Sequence, residues 1–311
     1  MKDLMKRALR SRPFLIGMFI LGFLILIYPL ISNWYYRVEQ DEVVSSYVKN
    51  VSGMEEEERR RLLSLAHAYN EGLARAGVDI FSPERMSFIQ ETIRKETFPV
   101  FFLESKTIGR IRIPKIKVDL PITMGTTDDI LERGAGLMPT GSLPVGGVNT
   151  HAVITAHRGL PSSRLFRDLG ELKEGDVFLL DVLGEKLAYE VEEISIIEPD
   201  DPAKLAIIPG EDMVSLLTCH PYMINSQRLV VRGHETEPYE EGEQKALEQG
   251  RDGRLRLFFV QYWEYIAGIG IFLALVGAIA LHDRRKRKRA LKKKMMARFG
   301  EEEEDDGSEE S

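Results

Sequence analysis

The sequence predicts a mainly β domain held outside a membrane between two spanning helices. Three observations support this. Two apolar runs, Phe14 to Ile31 and Tyr262 to Leu281, are each basic on one flank and aromatic on the other. Between about Ile108 and Gly233, apolar residues alternate with polar ones or form short runs broken by Gly, Pro, Asp and Asn. A single cysteine, Cys219, closes one of those short runs.

A spanning helix needs about 20 mostly apolar residues, and both runs satisfy this. Lys2, Lys6, Arg7, Arg10 and Arg12 precede the first run, and Arg284 to Arg289 follow the second. The positive-inside rule therefore expects both termini in the cytoplasm. Trp34, Tyr35 and Tyr36 after the first run, and Tyr262, Trp263 and Tyr265 at the start of the second, read as belts at the outer interface. No small-x-small cleavage site follows the first run, so it is expected to stay as an anchor. The expected organisation is a basic cytoplasmic segment (1–13), a transmembrane anchor (14–31) and an external helical segment (32–99). A β domain (100–235), a polar stalk (236–261), a transmembrane helix (262–281) and a cytoplasmic basic and acidic tail (282–311) complete it.

Within the helical segment, Ser52-Gly53-Met54-Glu55 fits a capping box. Leu62, Ala66, Tyr69 and Leu73 then share one helical face, and Gly77 is a stop signal. Ser82-Pro83 reads as a cap followed by proline at the first helical position, with Met86, Ile89 and Ile93 as the next buried stripe. In the β domain, Arg110 to Ile113 alternates and Ala152 to Ala156 is a buried strand. Asp176 to Val182 and Lys186 to Ile197 form a hairpin around Leu183-Gly184-Glu185. Val214 to Thr218 and Arg228 to Gly233 flank the cysteine loop. Many short strands without alternating helices indicate a sandwich or barrel.

The net charge of -7 comes from 42 Lys and Arg against 49 Asp and Glu, with basic residues concentrated at the chain ends. Nothing in this pattern calls for nucleic acid. One cysteine supports neither a disulfide framework nor a zinc set, which needs three or four ligands. It leaves a free thiol as core residue, intermolecular bridge or nucleophile. A nucleophile needs a proton carrier and a group to stabilise the oxyanion. Of six histidines, His157 is best placed, at the end of a buried strand. His220 adjoins Cys219, but successive strand side chains face opposite ways, and His151 falls near the other strand end. Arg228 enters on the next strand as a fork of donors, with Arg232 and Arg158 as competitors.

Thr155-Ala156-His157-Arg158-Gly159, Leu216-Leu217-Thr218-Cys219 and Asn225 to Gly233 resemble the His, Cys and Arg motifs of sortases. These are membrane-anchored cysteine transpeptidases of Gram-positive bacteria. The resemblance covers about Ile108 to Gly233 and implies a closed eight-stranded β-barrel with catalytic His157, Cys219 and Arg228. A second membrane span is similar to class C, the pilin-polymerising sortases, which carry a lid with an Asp-Pro-aromatic motif. The matching place is Asp79-Ile80-Phe81, where isoleucine replaces proline. The resemblance then implies Phe81 over the Cys219 thiol and Asp79 paired with an arginine such as Arg228. It implies cleavage of a Leu-Pro-x-Thr-Gly-like signal on pilin or surface proteins, with transfer to a pilin lysine or cell-wall amine. The lipid bilayer is the other partner, and no metal or organic cofactor is required. A housekeeping sortase that anchors surface proteins to the wall, and a non-catalytic membrane-tethered scaffold or adhesion protein, are the alternative readings.

Overall fold

The computed structural model describes residues 12–95, 98–104, 107–160, 163–236, 239–250 and scattered positions between 267 and 288. Its alternating segment forms eight strands: β1 (Gly109–Ile113), β2 (Val118–Met124), β3 (Ala135–Leu137), β4 (Thr150–Thr155), β5 (Val177–Val182), β6 (Glu185–Ile197), β7 (Asp212–His220) and β8 (Gln227–Glu235). They close into a barrel in the order β1-β2-β3-β4-β7-β8-β6-β5, so no strand edge stays open. Pairing is parallel between β2 and β3 and between β4 and β7, and antiparallel elsewhere.

Period-two alternation decides what fills the barrel. Ile111, Ile113, Leu120, Ile122, Ile154, Phe178, Leu180, Leu216 and Val231 belong to one buried cluster. Arg110 and Arg112 point outwards and pair with Asp119 and Glu243. The hairpin expected after Val182 turns through Leu183 and Gly184, at φ 54° and 80°. Two consecutive positive φ values match the twist of the flanking strands, and glycine accepts its value freely.

Three long helices precede the barrel among the described residues: α1 (Arg12–Ser52), α2 (Glu56–Ala76) and α3 (Pro83–Arg94). The short α4 (Val100–Glu104) leads into β1, and α5 (Asp128–Arg133) lies between β2 and β3. Leu62, Ala66, Tyr69 and Leu73 of α2 join the barrel cluster, as their spacing predicts. Asn70 clamps α2 to the barrel in both directions. Its Nδ2 donates to Leu143 O (2.9 Å) and its Oδ1 accepts from Leu143 N (2.8 Å). The Ser82 hydroxyl caps α3 by accepting from Arg85 N, with Pro83 next.

Three expectations need correction. Ser52 caps nothing: it ends α1, and its hydroxyl donates back to Lys49 O, because the upstream helix runs through the site. The buried face of α3 carries Arg85, Ile89 and Thr92, while Ile93 is exposed. The first part of the expected polar stalk is instead a helix, α6 (residues 239–250), laid on the barrel. Val177, Leu179 and Ala188 point outwards from β5 and β6, and Ala246 and Tyr239 of α6 cover them.

The first apolar run forms the start of α1, and its Leu21, Leu24 and Ile25 are exposed. Over the described residues no helix is long and apolar enough to cross a membrane. Several side chains of this run, and most of the second run, lie outside those residues. The described positions between 267 and 288 are helical and belong to a separate unit.

Asn70→Ala would leave Leu143 N buried without its partner, while Leu143 O keeps the bond it accepts from Val145 N (2.9 Å). A buried orphaned donor costs about 1–3 kcal/mol, so chemical denaturation should register a loss of about that size. A loss within the error of the measurement would remove the clamp from the account.

Candidate active site

The site is built by register. β4 and β7 pair in parallel from Thr150↔Asp212 to Thr155↔Leu217. Beyond the last pair the chains stay zipped: Ala156 N donates to Leu217 O (3.2 Å) and Thr218 Oγ1 donates to Ala156 O (2.8 Å). The same offset, extended two residues past the last pair, would bring His157 level with Cys219. On the other side, Cys219 pairs directly with Arg228 of β8. Three neighbouring segments thus bring the three residues to one level at one end of the barrel. All three are half-buried.

Alternation puts Cys219 and Leu217 on one face of β7, and Arg228 and Val230 on the same face of β8. That face is the outside of the barrel, since Leu216, Leu229 and Val231 fill the inside. Phe166 N donates to His157 O (3.0 Å), which folds the following loop back towards the strand end. Arg228 directs Nη1 at two carbonyls, Asn225 O of the adjoining loop (3.1 Å) and Gln227 O at the start of β8 (2.9 Å).

The competing residues have other tasks. Arg158 Nη1 donates to Cys219 O (3.4 Å) and bonds His220 Nδ1. Burial lowers the Arg158 pKa, opposed by the charges of Asp168 and Cys219, and its Nε is buried without a hydrogen-bond partner among the described residues. Burial first, and then the Arg158 cation, hold the His220 pKa below its ordinary value. His220 therefore serves as an acceptor that steadies Arg158. Arg232 is held by Glu192 and Glu193. His151 is fully buried, with Nδ1 against Ala206 O (2.7 Å) and Nε2 against Ser215 Oγ (2.8 Å). Burial pushes it down to about 4.

In the segment expected as a lid, the buried residue is Ile80 and not Phe81. Ile80 is fully buried against Val153, Leu217, Val230, Ile197 and Leu205. That cluster lies on the same outer face as Cys219 and Arg228, one side chain further along. Phe81 is 54% exposed, and Asp79 Oδ1 accepts from Phe81 N (2.9 Å) rather than pairing with Arg228. The flanking backbone is tied down: Val78 O accepts from Ile207 N (2.9 Å) and from Arg85 Nη1 (3.3 Å). Arg85 is fully buried, and burial lowers it to about 10. Its role had no sequence signal. For Ile80 the signal was present, as one large apolar residue in a turn. Elsewhere, a cavity of about 610 Å³ lies beside His67, Arg75, Val78, Val148 and Ile207, at the start of β4 and so away from Cys219.

With this geometry established, comparison with known proteins identifies the architecture. A sortase domain is matched over residues 111–236. The chain belongs to the sortase family. It is similar to solved class C members: sortase C of Streptococcus pneumoniae at 43% identity, covering 63% of this chain and 96% of that one, with a TM-score of 0.53. That structure is described as informative on catalysis and pilin substrate specificity. It is also similar to Clostridium perfringens sortase C solved with the C-terminal cell wall sorting motif, at 38% identity over 63% and 98% of the two chains, TM-score 0.54. Among curated relatives, sortase D of Bacillus subtilis (strain 168) is 32% identical over 114 residues, 37% of this chain and 54% of that protein. The chain thus spans about half the length of the curated relatives it matches.

His151 should make stability pH-dependent. Its folded pKa of about 4 lies below the ordinary 6.5. The unfolded chain then binds the extra proton first, so stability falls as pH drops from about 6.5 to about 4. The full loss is of the order of 3 kcal/mol. Denaturation midpoints measured across this range should drop for the native chain and drop less for His151→Asn. Equal slopes would show that another group titrates.

Proposed function

We propose that the chain is a membrane-anchored class C sortase, a cysteine transpeptidase that joins exported proteins bearing a sorting signal to an amine, most simply a pilin lysine. The observation that carries this reading is the level alignment of Cys219 between His157 and Arg228. The Cys219 thiolate attacks the threonine carbonyl of a Leu-Pro-x-Thr-Gly-like signal. Arg228 stabilises the oxyanion that forms, or holds the carbonyl in place. The Thr–Gly bond breaks, the leaving amine takes a proton from His157, and a thioester on Cys219 remains. An acceptor amine then attacks the thioester and gives a proton to His157, and the thiolate departs as the new amide forms.

The anchor rests on the flanks of the two apolar runs and on α1, which carries the first run straight into the external domain. Both termini are then cytoplasmic and the barrel is extracellular. The class C reading also draws on the segment around Ile80, which covers the face leading to the thiol as a lid. Reaction of the full chain with candidate pilins and a sorting-signal peptide, resolved by mass spectrometry, tests the whole reading. It identifies both the cleaved bond and the accepting amine. Products cut elsewhere, or no thioester, would overturn it.

Cys219→Ala should form no thioester, and His157→Ala should lose activity while His220→Ala keeps most of it. Arg228→Lys should fall roughly a hundredfold, since an oxyanion contact contributes about 3 kcal/mol and lysine lacks the planar fork. A lysine variant near the native rate would return Arg228 to the surface.

Ile80→Ala should speed alkylation of Cys219 by a bulky thiol reagent. Removing a fully buried isoleucine costs about 2–5 kcal/mol, so the open form should rise at least tenfold. Phe81→Ala should have the smaller effect. Unchanged labelling in Ile80→Ala would mean that the segment does not gate the thiol.

A further inference from the structure

We infer that the catalytic end of the barrel faces the membrane, and that the β7–β8 loop rests its tip, Met223 and Ile224, in the outer interface of the bilayer. The inference rests on the membrane-anchor reading above and goes beyond it by fixing the orientation of the domain.

The first observation is the path of α1. Its Gln40 Nε2 donates to Arg133 O (3.1 Å) and lies 3.5 Å from Ser163 Oγ. Both partners belong to the catalytic end. Arg133 closes α5 just before β3, whose Gly136 pairs with Thr155, and Ser163 lies in the loop after His157. Two turns on, the Tyr47 hydroxyl donates to Ile108 O and accepts from Leu183 N. Val51 then packs beside Gly184. Leu183 and Gly184 form the turn that starts β6, and β6 ends at Ile197, opposite Arg228. So α1 arrives at the catalytic end and leaves towards the other. Its apolar run ends at Ile31, nine residues before Gln40. At 1.5 Å per residue that is about 13 Å of unbroken helix. No flexible linker intervenes that could turn the domain over.

The second observation is independent. The loop between Cys219 and Arg228 presents the most exposed large apolar side chain at this end of the barrel. Met223 is 80% exposed and Ile224 is 71% exposed. The loop is held by Ile224 N and Asn225 N, which both donate to Pro221 O, and Met223 adopts a φ of 66°. Beside the tip, the Arg167 guanidinium lies 5.1 Å from the Tyr222 ring. Two apolar residues next to a tyrosine and an arginine match the layering of a bilayer interface, with acyl boundary, aromatic zone and anionic headgroups in order. The occupant is therefore the leaflet that holds the α1 run.

The chain has one cysteine, so Cys219→Ala leaves a background free of thiols. Met223→Cys in this background, labelled with an environment-sensitive fluorophore, is reconstituted as the full chain in vesicles containing nitroxide-bearing lipids. Val148→Cys, exposed at the opposite end of the barrel, is the control. The expected result is strong quenching at position 223 and none at 148. Equal quenching at the two positions overturns the inference. Shielding of the 223 label by added pilin but not by lipid also overturns it, and assigns the loop to a protein partner. Flotation with the vesicles is scored in the same samples. A chain that does not float overturns the anchor reading and this inference together, whereas a floating chain with an unquenched 223 label overturns the orientation alone.

Discussion

Six consecutive residues of β4 run parallel to six of β7, and the placement of Cys219 at the end of the barrel where β4 also ends follows from that pairing. Parallel neighbours need a long crossover, and here it contains β5, β6 and the loops around them. The crossover closes the barrel, buries Phe178 and Leu180 inside it, and brings back a strand whose last residues lie level with His157. A slip of one residue would turn Cys219 to the inner face. Such a slip is opposed by every inward residue of β7, because Val214 and Leu216 would have to trade places with Ser215 and Leu217.

Around the same strands lies a second layer of constraint, made of the buried Arg85, the half-buried Arg158 and the buried His151. Arg85 spends its donors on the Gly77 and Val78 carbonyls, Arg158 on the Cys219 carbonyl, and His151 on the Ala206 carbonyl. Arg85 and His151 thereby fix irregular backbone, and Arg158 steadies the end of β7. Carbonyl groups turned inward need partners, and loops without regular hydrogen bonding obtain them from long side chains. Ala206 and Ile207 thus link His151 to Val78, so the segment over the site and the sheet beneath it share one set of hydrogen bonds.

The strands and the three residues at their ends were legible because period-two alternation and strand-end placement are local signals. Cys219, His157 and Arg228 each follow or open an apolar run, and the barrel carries them where those runs end. Ile80 was less legible. It lies between turn-forming residues, and only the uncovered face of Val153, Leu217 and Val230 explains its burial, which is a long-range fact. Arg85 was not legible at all, because a charged residue on a short helix ordinarily faces water. The capping signal at Ser52 misled for a related reason: a strong upstream helix overrode a locally good stop. The covering of β5 and β6 by α6 depends on which barrel residues point outwards, and a polar segment does not announce that.

Ile80 occupies an apolar slot on the outer face that also carries Cys219, and it is attached to the same molecule. A tethered side chain acts at an effective concentration on the order of millimolar, whatever the protein concentration. Any incoming chain that must lie along Val153, Leu217 and Val230 competes with it, and its apparent affinity falls by the fraction of time that the slot is vacant. Dilute peptides therefore lose this competition. Under the membrane-anchored reading proposed above, a polypeptide crowded beside the enzyme on the same surface does not, and occupancy then responds to local density in two dimensions rather than to bulk supply.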